Sequence, residues 1–295
     1  MKILLAGGTG LIGRKLTEHF IAGRNEVFIL SRKPRTSNSS FIKFLVWNGK
    51  EIPKTREEFD VLINLAGEPV VEKPWSKERK QKILESRTGV TFAFVDHIRE
   101  AKKKPQVFIN ASAVGYYGNR DSEILTEHSP AGKGFLAEVC EQWEKAASFS
   151  PVRTVFLRTG IVLSREGGAL KEILKSYNFG FGTWFGSGTQ GFPWIHIDDE
   201  IGLILFAIEN EQVSGPLNLS APELISNKEF IKTLGRVIGK KLAFSVPYFA
   251  LKLVLGERTD ILFDSQFEKP EKALQFGYKF KFPDAENALK NLFNR

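Results

Sequence analysis

Three glycines near the start of the chain have a spacing that suits phosphate binding. Gly7, Gly10 and Gly13 lie in the stretch Gly-Gly-Thr-Gly-Leu-Ile-Gly, between a short apolar run and a segment whose apolar residues recur at helical intervals. Glycines at such a turn let backbone N–H groups approach a pyrophosphate and let the following helix lie close to the sheet. In this strand–turn–helix context the triplet predicts a dinucleotide site.

The residues that follow the second apolar run indicate which dinucleotide would bind. A carboxylate commonly stands at this point when the ligand has a free ribose 2′-hydroxyl. Here the chain reads Ser31-Arg32-Lys33 and offers no carboxylate. Because an arginine can clamp a phosphate with two parallel N–H groups and a serine can donate a hydrogen bond, we predict NADP(H). The alternative is a solvated basic turn.

Hydroxyl groups that could transfer a proton are concentrated in residues 111–118, Ala-Ser-Ala-Val-Gly-Tyr-Tyr-Gly. Ser112, Tyr116 and Tyr117 are the candidate catalytic residues. The alternative for the two tyrosines is a role in packing and hydrogen bonding. A second polar motif, at residues 194–199, contains His196, and we expect it to brace a strand-to-helix turn with Asp198 as the N-cap.

Strands and helices alternate along residues 1–160. Apolar runs predict strands at 2–6, 26–30, 41–46, 61–65, 106–110 and 152–157, and helical spacing predicts helices at 11–22, 77–101 and 135–147. This alternation predicts an α/β fold, a Rossmann-type, doubly wound and mostly parallel sheet.

The later part of the chain has a different character. Residues 178–191 are rich in glycine and aromatic residues and are predicted to form a loop, whereas 215–219 and 227–238 predict a strand and a helix. We therefore divide the chain into a Rossmann domain at 1–165, to which residues 190–240 return, and substrate-side loops at 166–245 that also complete the sheet. A small, mainly helical domain on the substrate side follows at 246–295.

These motifs together resemble the extended short-chain dehydrogenase/reductase superfamily, of the NAD-dependent epimerase/dehydratase type. The resemblance rests on the glycine loop, on residues 64–67 (Asn-Leu-Ala-Gly), and on the stretches 111–118 and 194–199. A closer similarity is to the 39U subgroup of epimerase-family proteins, loosely labelled cell-division inhibitor-like. It is carried by Ser86-Arg87, Trp143-Glu144, residues 186–190, and a C-terminal stretch from Pro247 that includes residues 277–283.

The resemblance implies which residues contact the cofactor. The pyrophosphate would lie on the glycine loop, the 2′-phosphate at the end of the second strand, the riboses beside residues 65–67, and the nicotinamide at the end of the fifth strand. The implied contacts are Gly7, Thr9, Gly10, Leu11, Ile12, Ser31, Arg32, Leu65, Ala66, Gly67, Arg87, Ala111 and Ser112.

The superfamily's Ser, Tyr and Lys group, with the last two spaced Y-x-x-x-K, has no counterpart here. The corresponding helix has Phe135 and Val139 at that spacing, and an ungapped alignment puts Ala113 at the serine position. Two interpretations stay open. The chain is an NADP-dependent oxidoreductase or epimerase with an altered acid–base group, or it is a non-catalytic NADP(H)-sensing or partner-binding module.

A small-molecule substrate would bind beside the aromatic loop. Trp184, Gln190 and Trp194 are predicted to line its pocket, and the alternative is that this loop packs on the protein's own core.

Composition and charge argue against binding of nucleic acid, insertion into a membrane and binding of a metal. The net charge is +8, but the basic residues are dispersed and accompany no nucleic-acid motif, so we expect no nucleic-acid partner. No long apolar run predicts a membrane span, and no cluster predicts a metal site. The single cysteine, Cys140, excludes an intramolecular disulfide and fits a cytoplasmic setting. Apolar helices could pair with a second subunit, so a homodimer is also open.

Overall fold

A seven-stranded parallel sheet forms the centre of the computed structural model, which describes residues 1–294. Its strands are β1 Lys2–Ala6, β2 Glu26–Ser31, β3 Ile42–Val46, β4 Val61–Asn64, β5 Val107–Ala113, β7 Thr154–Thr159 and β11 Gly215–Leu219. They lie in the order β11-β7-β5-β4-β1-β2-β3, and each neighbouring pair is parallel. Strand order reverses at β1, and ligands of such sheets bind beyond the carboxyl ends of the strands at this point.

Helices cover both faces of the sheet, which confirms the predicted doubly wound fold. The four helices beside it are α1 Leu11–Ala22, α2 Lys77–Glu100, α3 Phe135–Ser148 and α5 Ile197–Glu209. The helices α1 and α5 pack on one face, in a core that includes Leu5, Leu16 and Ile204, whereas α2 covers the other face through Phe94, stacked on Phe108. The central strands are apolar on both sides because both sides are covered.

Three short parallel strand pairs lie outside the main sheet. They join β8 Ile161–Leu163 to β10 Trp194–His196, β9 Gly182–Phe185 to β12 Ala243–Val246, and β6 Ile124–Leu125 to β13 Phe267–Glu268. The strand β9 corrects the prediction that residues 178–191 are a loop throughout. Its partner β12 is far along the chain, so no local pattern indicates the pairing.

The remaining helices lie in the later part of the chain. They are α4 Ala169–Asn178, α6 Asn227–Ile238, α7 Tyr248–Leu255, α8 Asp260–Phe263, α9 Glu271–Gln275 and α10 Ala285–Phe293. Of these helices, α4, α6 and α10 contribute to a second core, in which Phe230 and Leu234 of α6 pack with Leu289 of α10. Residues 246–294 are therefore mainly helical, but they pack at several places on the rest of the chain. Within residues 1–294, no helix has the length and apolar character that a membrane crossing requires.

Candidate cofactor and substrate site

Helix α1 begins with backbone donors that no side chain caps. Its N-cap is Gly10, and its first turn has no acidic residue. Gly7 has a φ of 80°, and a Cβ there would lie 2.7 Å from the Leu65 carbonyl oxygen, while a Cβ on Gly13 would collide with the Gly7 carbonyl. Only glycine fits these two positions, and the N-terminus of α1 is left without a side-chain cap, as an anion site at a helix N-terminus requires. Thr9 and Gly10 are exposed in the turn that leads into α1.

The end of β2 places Arg32 in solvent and Ser31 in the protein. The Arg32 side chain is 82% exposed, and its Nη1 lies 3.9 Å from Glu68 Oε1. The buried Ser31 hydroxyl donates to the Lys33 carbonyl at 2.7 Å. Of the two residues predicted to hold a 2′-phosphate, Arg32 is therefore exposed and only loosely paired with Glu68, whereas Ser31 would first have to break a hydrogen bond.

The loop after β4 is supported from α2. Leu65 and Ala66 are half-buried and Gly67 is exposed. The Arg87 side chain donates from Nη1 to the carbonyls of Glu68 and Ile83, both at 3.1 Å. A Cβ on Gly67 would lie 3.0 Å from Arg87 Cζ, so a larger residue there would require the guanidinium to shift slightly. Arg87 thus braces the loop along which the riboses are expected to lie.

At the end of β5 the side chains alternate between two faces. Ala111 and Ala113 are half-buried, whereas Ser112 is buried and its hydroxyl donates to Glu144 Oε1 at 2.7 Å. Successive residues of a strand point to opposite faces. The Ser112 hydroxyl is therefore turned toward α3, and Ala111 and Ala113 share the other face.

A buried ion pair engages two of the three candidate hydroxyls. Arg158 donates from Nε and Nη2 to the two oxygens of Glu144, both at 2.9 Å, and from Nη1 to the Tyr117 hydroxyl at 3.0 Å. Tyr117 donates in turn to Asn218 Oδ1 at 2.6 Å, and burial raises the pKa of Tyr117 above its usual range. The hydroxyls of Tyr117 and Ser112 are therefore engaged by buried side chains and do not face a ligand site. The sequence signal for this network is an arginine inside the otherwise apolar strand β7.

Tyr116 is placed differently from its neighbour. Its half-buried ring lies over the Arg158 guanidinium, with 3.5 Å between Cζ and the ring centroid. Within residues 1–294 its hydroxyl has no hydrogen-bond partner. Tyr116 is thus the candidate hydroxyl that is still free to contact a ligand.

The two residues of α3 that face the end of β5 lie one position later in the chain than the predicted pair, Phe135 and Val139. Phe135 and Val139 line a groove with Trp75, whose ring centroid is 5.0 Å from that of Phe135. A Cβ on Gly115, in the turn after β5, would instead lie 3.4 Å from Leu136 Cβ and 3.9 Å from Cys140 Sγ. Leu136 and Cys140 therefore stand beside the β5 end at the i, i+4 spacing. Leu136 has no hydroxyl group to act as the tyrosine does, and Cys140 cannot supply the positive charge of the lysine; burial raises the pKa of its thiol to about 11 and keeps it neutral.

The turn into α5 corrects the predicted cap. The N-cap is His196, whose Nδ1 accepts the Asp198 backbone N–H at 3.1 Å, so the prediction that Asp198 caps the helix was wrong. His196 is buried, and burial lowers its pKa. The neutral imidazole thus accepts a backbone N–H at the start of α5, as the carboxylate of an aspartate N-cap would.

The predicted pocket residues mostly serve the protein's own packing. Trp194 is 1% exposed in the second core, so it lines no open crevice. Gln190 donates from Nε2 to the carbonyls of Phe185 and Leu262, at 3.1 and 3.2 Å, and so ties the aromatic loop to the C-terminal segment. Trp184 is half-buried, with Lys228 Nζ 5.1 Å from its ring centroid.

A doubly wound parallel sheet with a glycine turn and an uncapped helix at the switch point defines a Rossmann-type nucleotide-binding fold. The family model described as NAD dependent epimerase/dehydratase family matches residues 3–220, and a domain of unknown function (DUF1731) matches residues 246–292. The chain belongs to the NAD-dependent epimerase/dehydratase family.

Three relatives show how far the similarity extends. The epimerase family protein YfhF of Bacillus subtilis is 36% identical over 298 residues, covering 99% of this chain and 98% of the relative. An Arabidopsis thaliana protein described as a chloroplastic homolog of the epimerase family protein SDR39U1 is 34% identical over 299 residues, covering 98% and 86%. The crystal structure of human SDR39U1 (isoform 2) with NADPH superposes with a TM-score of 0.90 at 32% identity, and covers 100% of both chains.

Proposed function

We propose that the chain binds NADP(H) and carries out oxidoreductase or isomerase chemistry on a small molecule. The observation that carries the choice of cofactor is the exposed Arg32 at the end of β2, where no carboxylate stands. The N–H groups at the start of α1 would hold the pyrophosphate, and Arg32 would hold the 2′-phosphate. The NADPH in the structure of the human relative supports this choice.

We further propose that Tyr116 handles the proton of the reaction. Bound NADP(H) would supply or accept a hydride at a substrate carbon. In a carbonyl reduction the Tyr116 hydroxyl would give its proton to the substrate oxygen, and in the reverse direction it would take the proton back. Ser112 and Tyr117 are less suited to this role because Glu144, Arg158 and Asn218 already engage their hydroxyls.

Calorimetric titration with NADPH and NADH tests the cofactor. We expect Arg32→Ala to weaken NADPH binding at least about tenfold and to change NADH binding little, because the variant loses a charge-assisted phosphate contact. Arg35→Ala, an exposed arginine in the same stretch, is the matched control. Equal binding of NADPH and NADH by the unmodified protein, with no effect of Arg32→Ala, would exclude the 2′-phosphate assignment.

Loss of NADPH absorbance in the presence of carbonyl compounds and sugar nucleotides tests the reaction. Tyr116→Phe should abolish turnover while NADPH affinity is retained. If Tyr116→Phe turns substrate over as fast as the unmodified protein, Tyr116 does not supply the proton.

One observation favours the second candidate function, a non-catalytic NADP(H)-sensing or partner-binding module. The residues beside the end of β5 are Ala113, Leu136 and Cys140, and none of them has a hydroxyl group or carries a charge at neutral pH. Tight NADPH binding without turnover on any substrate of the panel would support this module over the enzyme.

A further inference from the structure

Glu68 is surrounded by three cations. The residue follows Gly67 directly, and its carboxylate lies 3.1 Å from Arg79 Nη1, 3.7 Å from Lys82 Nζ and 3.9 Å from Arg32 Nη1. The side chains of Glu68 and Arg79 are only 19% and 10% exposed. We call these four residues the Glu68 cluster.

The Glu68 cluster has an excess of positive charge. Burial opposes ionisation of Glu68, but Arg79, Lys82 and Arg32 outweigh it and lower the pKa of the carboxyl group, which is therefore charged at neutral pH. One carboxylate thus faces three cations. In addition, the buried Arg79 Nε has no hydrogen-bond partner within residues 1–294. The excess charge lies on the exposed side chains of Arg32 and Lys82, which a further anion can reach.

The cluster joins the elements expected to surround the adenosine end of the cofactor. Arg32 follows β2, and Glu68 lies in the loop after β4. The strands β2 and β4 are the two neighbours of β1, which leads into the glycine turn. An adenosine ribose bound to that turn would reach the gap between Arg32 and Glu68.

We propose that Glu68 is the internal counter-ion of the 2′-phosphate site and limits the preference of this chain for NADP(H) over NAD(H). This inference rests on the proposed function. A 2′-phosphate would compete with Glu68 for Arg32 and would be repelled by the Glu68 carboxylate. Arg79 and Lys82 hold that carboxylate in place and reduce the repulsion without removing it.

Glu68→Gln tests the proposal, because the amide keeps the size of the side chain and an oxygen for Arg79 while removing the charge. We expect the affinity for NADPH to rise about fivefold at low salt and the affinity for NADH to stay within about twofold, since only NADPH has the additional phosphate near residue 68. The gain should shrink at high salt. Adenosine 2′,5′-bisphosphate and 5′-AMP, titrated in parallel, should show the same difference, because they contain only the adenosine half.

The matched control is Glu72→Gln, an exposed carboxylate in the same loop with no ion pair within residues 1–294. Thermal unfolding of each variant verifies that the fold is kept. An unchanged or lower ratio of NADPH to NADH affinity in Glu68→Gln overturns the proposal, as does an equal gain for both cofactors. If Arg32→Ala leaves that ratio unchanged, the proposed 2′-phosphate site fails instead, so the two failures are distinguishable.

Discussion

At the scale of single residues, Arg158 shows how the interior beneath the β5 end is stabilised. Its side chain is 3% exposed, and a buried guanidinium loses its hydration when the chain folds. Two charge-assisted hydrogen bonds to Glu144 offset this desolvation cost. The Tyr117 hydroxyl and the ring of Tyr116 make the remaining contacts with the guanidinium. Ser112 donates to the same carboxylate, so its role is to complete this network.

Removing Glu144 should therefore destabilise the protein strongly. Glu144→Ala leaves Arg158 buried without its counter-ion, and we expect the free energy of unfolding to fall by about 3–5 kcal/mol in urea titrations. Glu141→Ala, on the exposed side of the same helix, should change it by less than about 0.5 kcal/mol. Similar effects of both substitutions would show that the ion pair contributes little.

Glu200 makes the stability depend on pH in an unusual direction. Burial raises its pKa to about 8, although a hydrogen bond from Thr159 acts in the opposite sense. The folded protein therefore binds a proton that the unfolded chain releases near pH 4.5, so stability should fall as the pH rises from about 5 to 8. Glu200→Gln should reduce this fall in urea titrations across that range. Glu209→Gln, exposed at the other end of α5, should show the same fall as the unmodified protein.

At the scale of elements, local signals account for what the sequence predicts well. The helix predicted at 227–238 matches α6, because Ser226 and Glu229 form a capping box at its start and Gly239 ends it in the left-handed conformation. The pair β9 and β12 has no such signal, since its two strands are distant in sequence. The sequence also does not indicate which residues of α3 face β5. Four candidates, Phe135, Leu136, Val139 and Cys140, are all apolar, so only the packing of the folded chain decides between them.

Two glycines in helices on opposite faces of the sheet should respond in opposite ways to alanine. A Cβ on Gly89, inside α2, would meet no atom within 4 Å, so Gly89→Ala should stabilise the protein by up to about 1 kcal/mol in urea titrations. A Cβ on Gly13 would collide with the Gly7 carbonyl and displace the glycine turn, so Gly13→Ala should abolish NADPH binding in calorimetry. Normal NADPH binding by Gly13→Ala would contradict the close approach of α1 to this turn.

At the scale of the whole molecule, the candidate site divides into a local and a non-local part. The glycine turn is predictable because its residues are consecutive and their backbone conformations follow from residue type. The Glu68 cluster and the Arg158 network are not predictable, because each takes its charges from separate elements. Arg32, Glu68 and Arg79 come from the end of β2, the loop after β4 and the first turn of α2, and only the sheet order brings them together.

The C-terminal segment is joined to the Rossmann core by buried hydrogen bonds. The Asp199 carboxyl group, in the first turn of α5, accepts the backbone N–H groups of Lys281 and Phe282 at 2.8 and 2.9 Å and the Tyr278 hydroxyl at 3.1 Å. Elsewhere α10 packs on α6 and β13 pairs with β6. Since these contacts bind the segment at several places, we expect the two matched regions, 3–220 and 246–292, to unfold together.

Urea titrations followed by circular dichroism and by tryptophan fluorescence should therefore show one transition with a common midpoint. Asp199→Ala removes the acceptor of three hydrogen bonds and should lower the free energy of unfolding by at least about 3 kcal/mol. Asp198→Ala is the matched control, because that neighbouring carboxylate is half exposed and lies 3.9 Å from His196 Nδ1. If the C-terminal segment were an independent unit, the two probes would separate, and Asp199→Ala would expose residues 246–294 to proteolysis while the rest of the chain kept its stability.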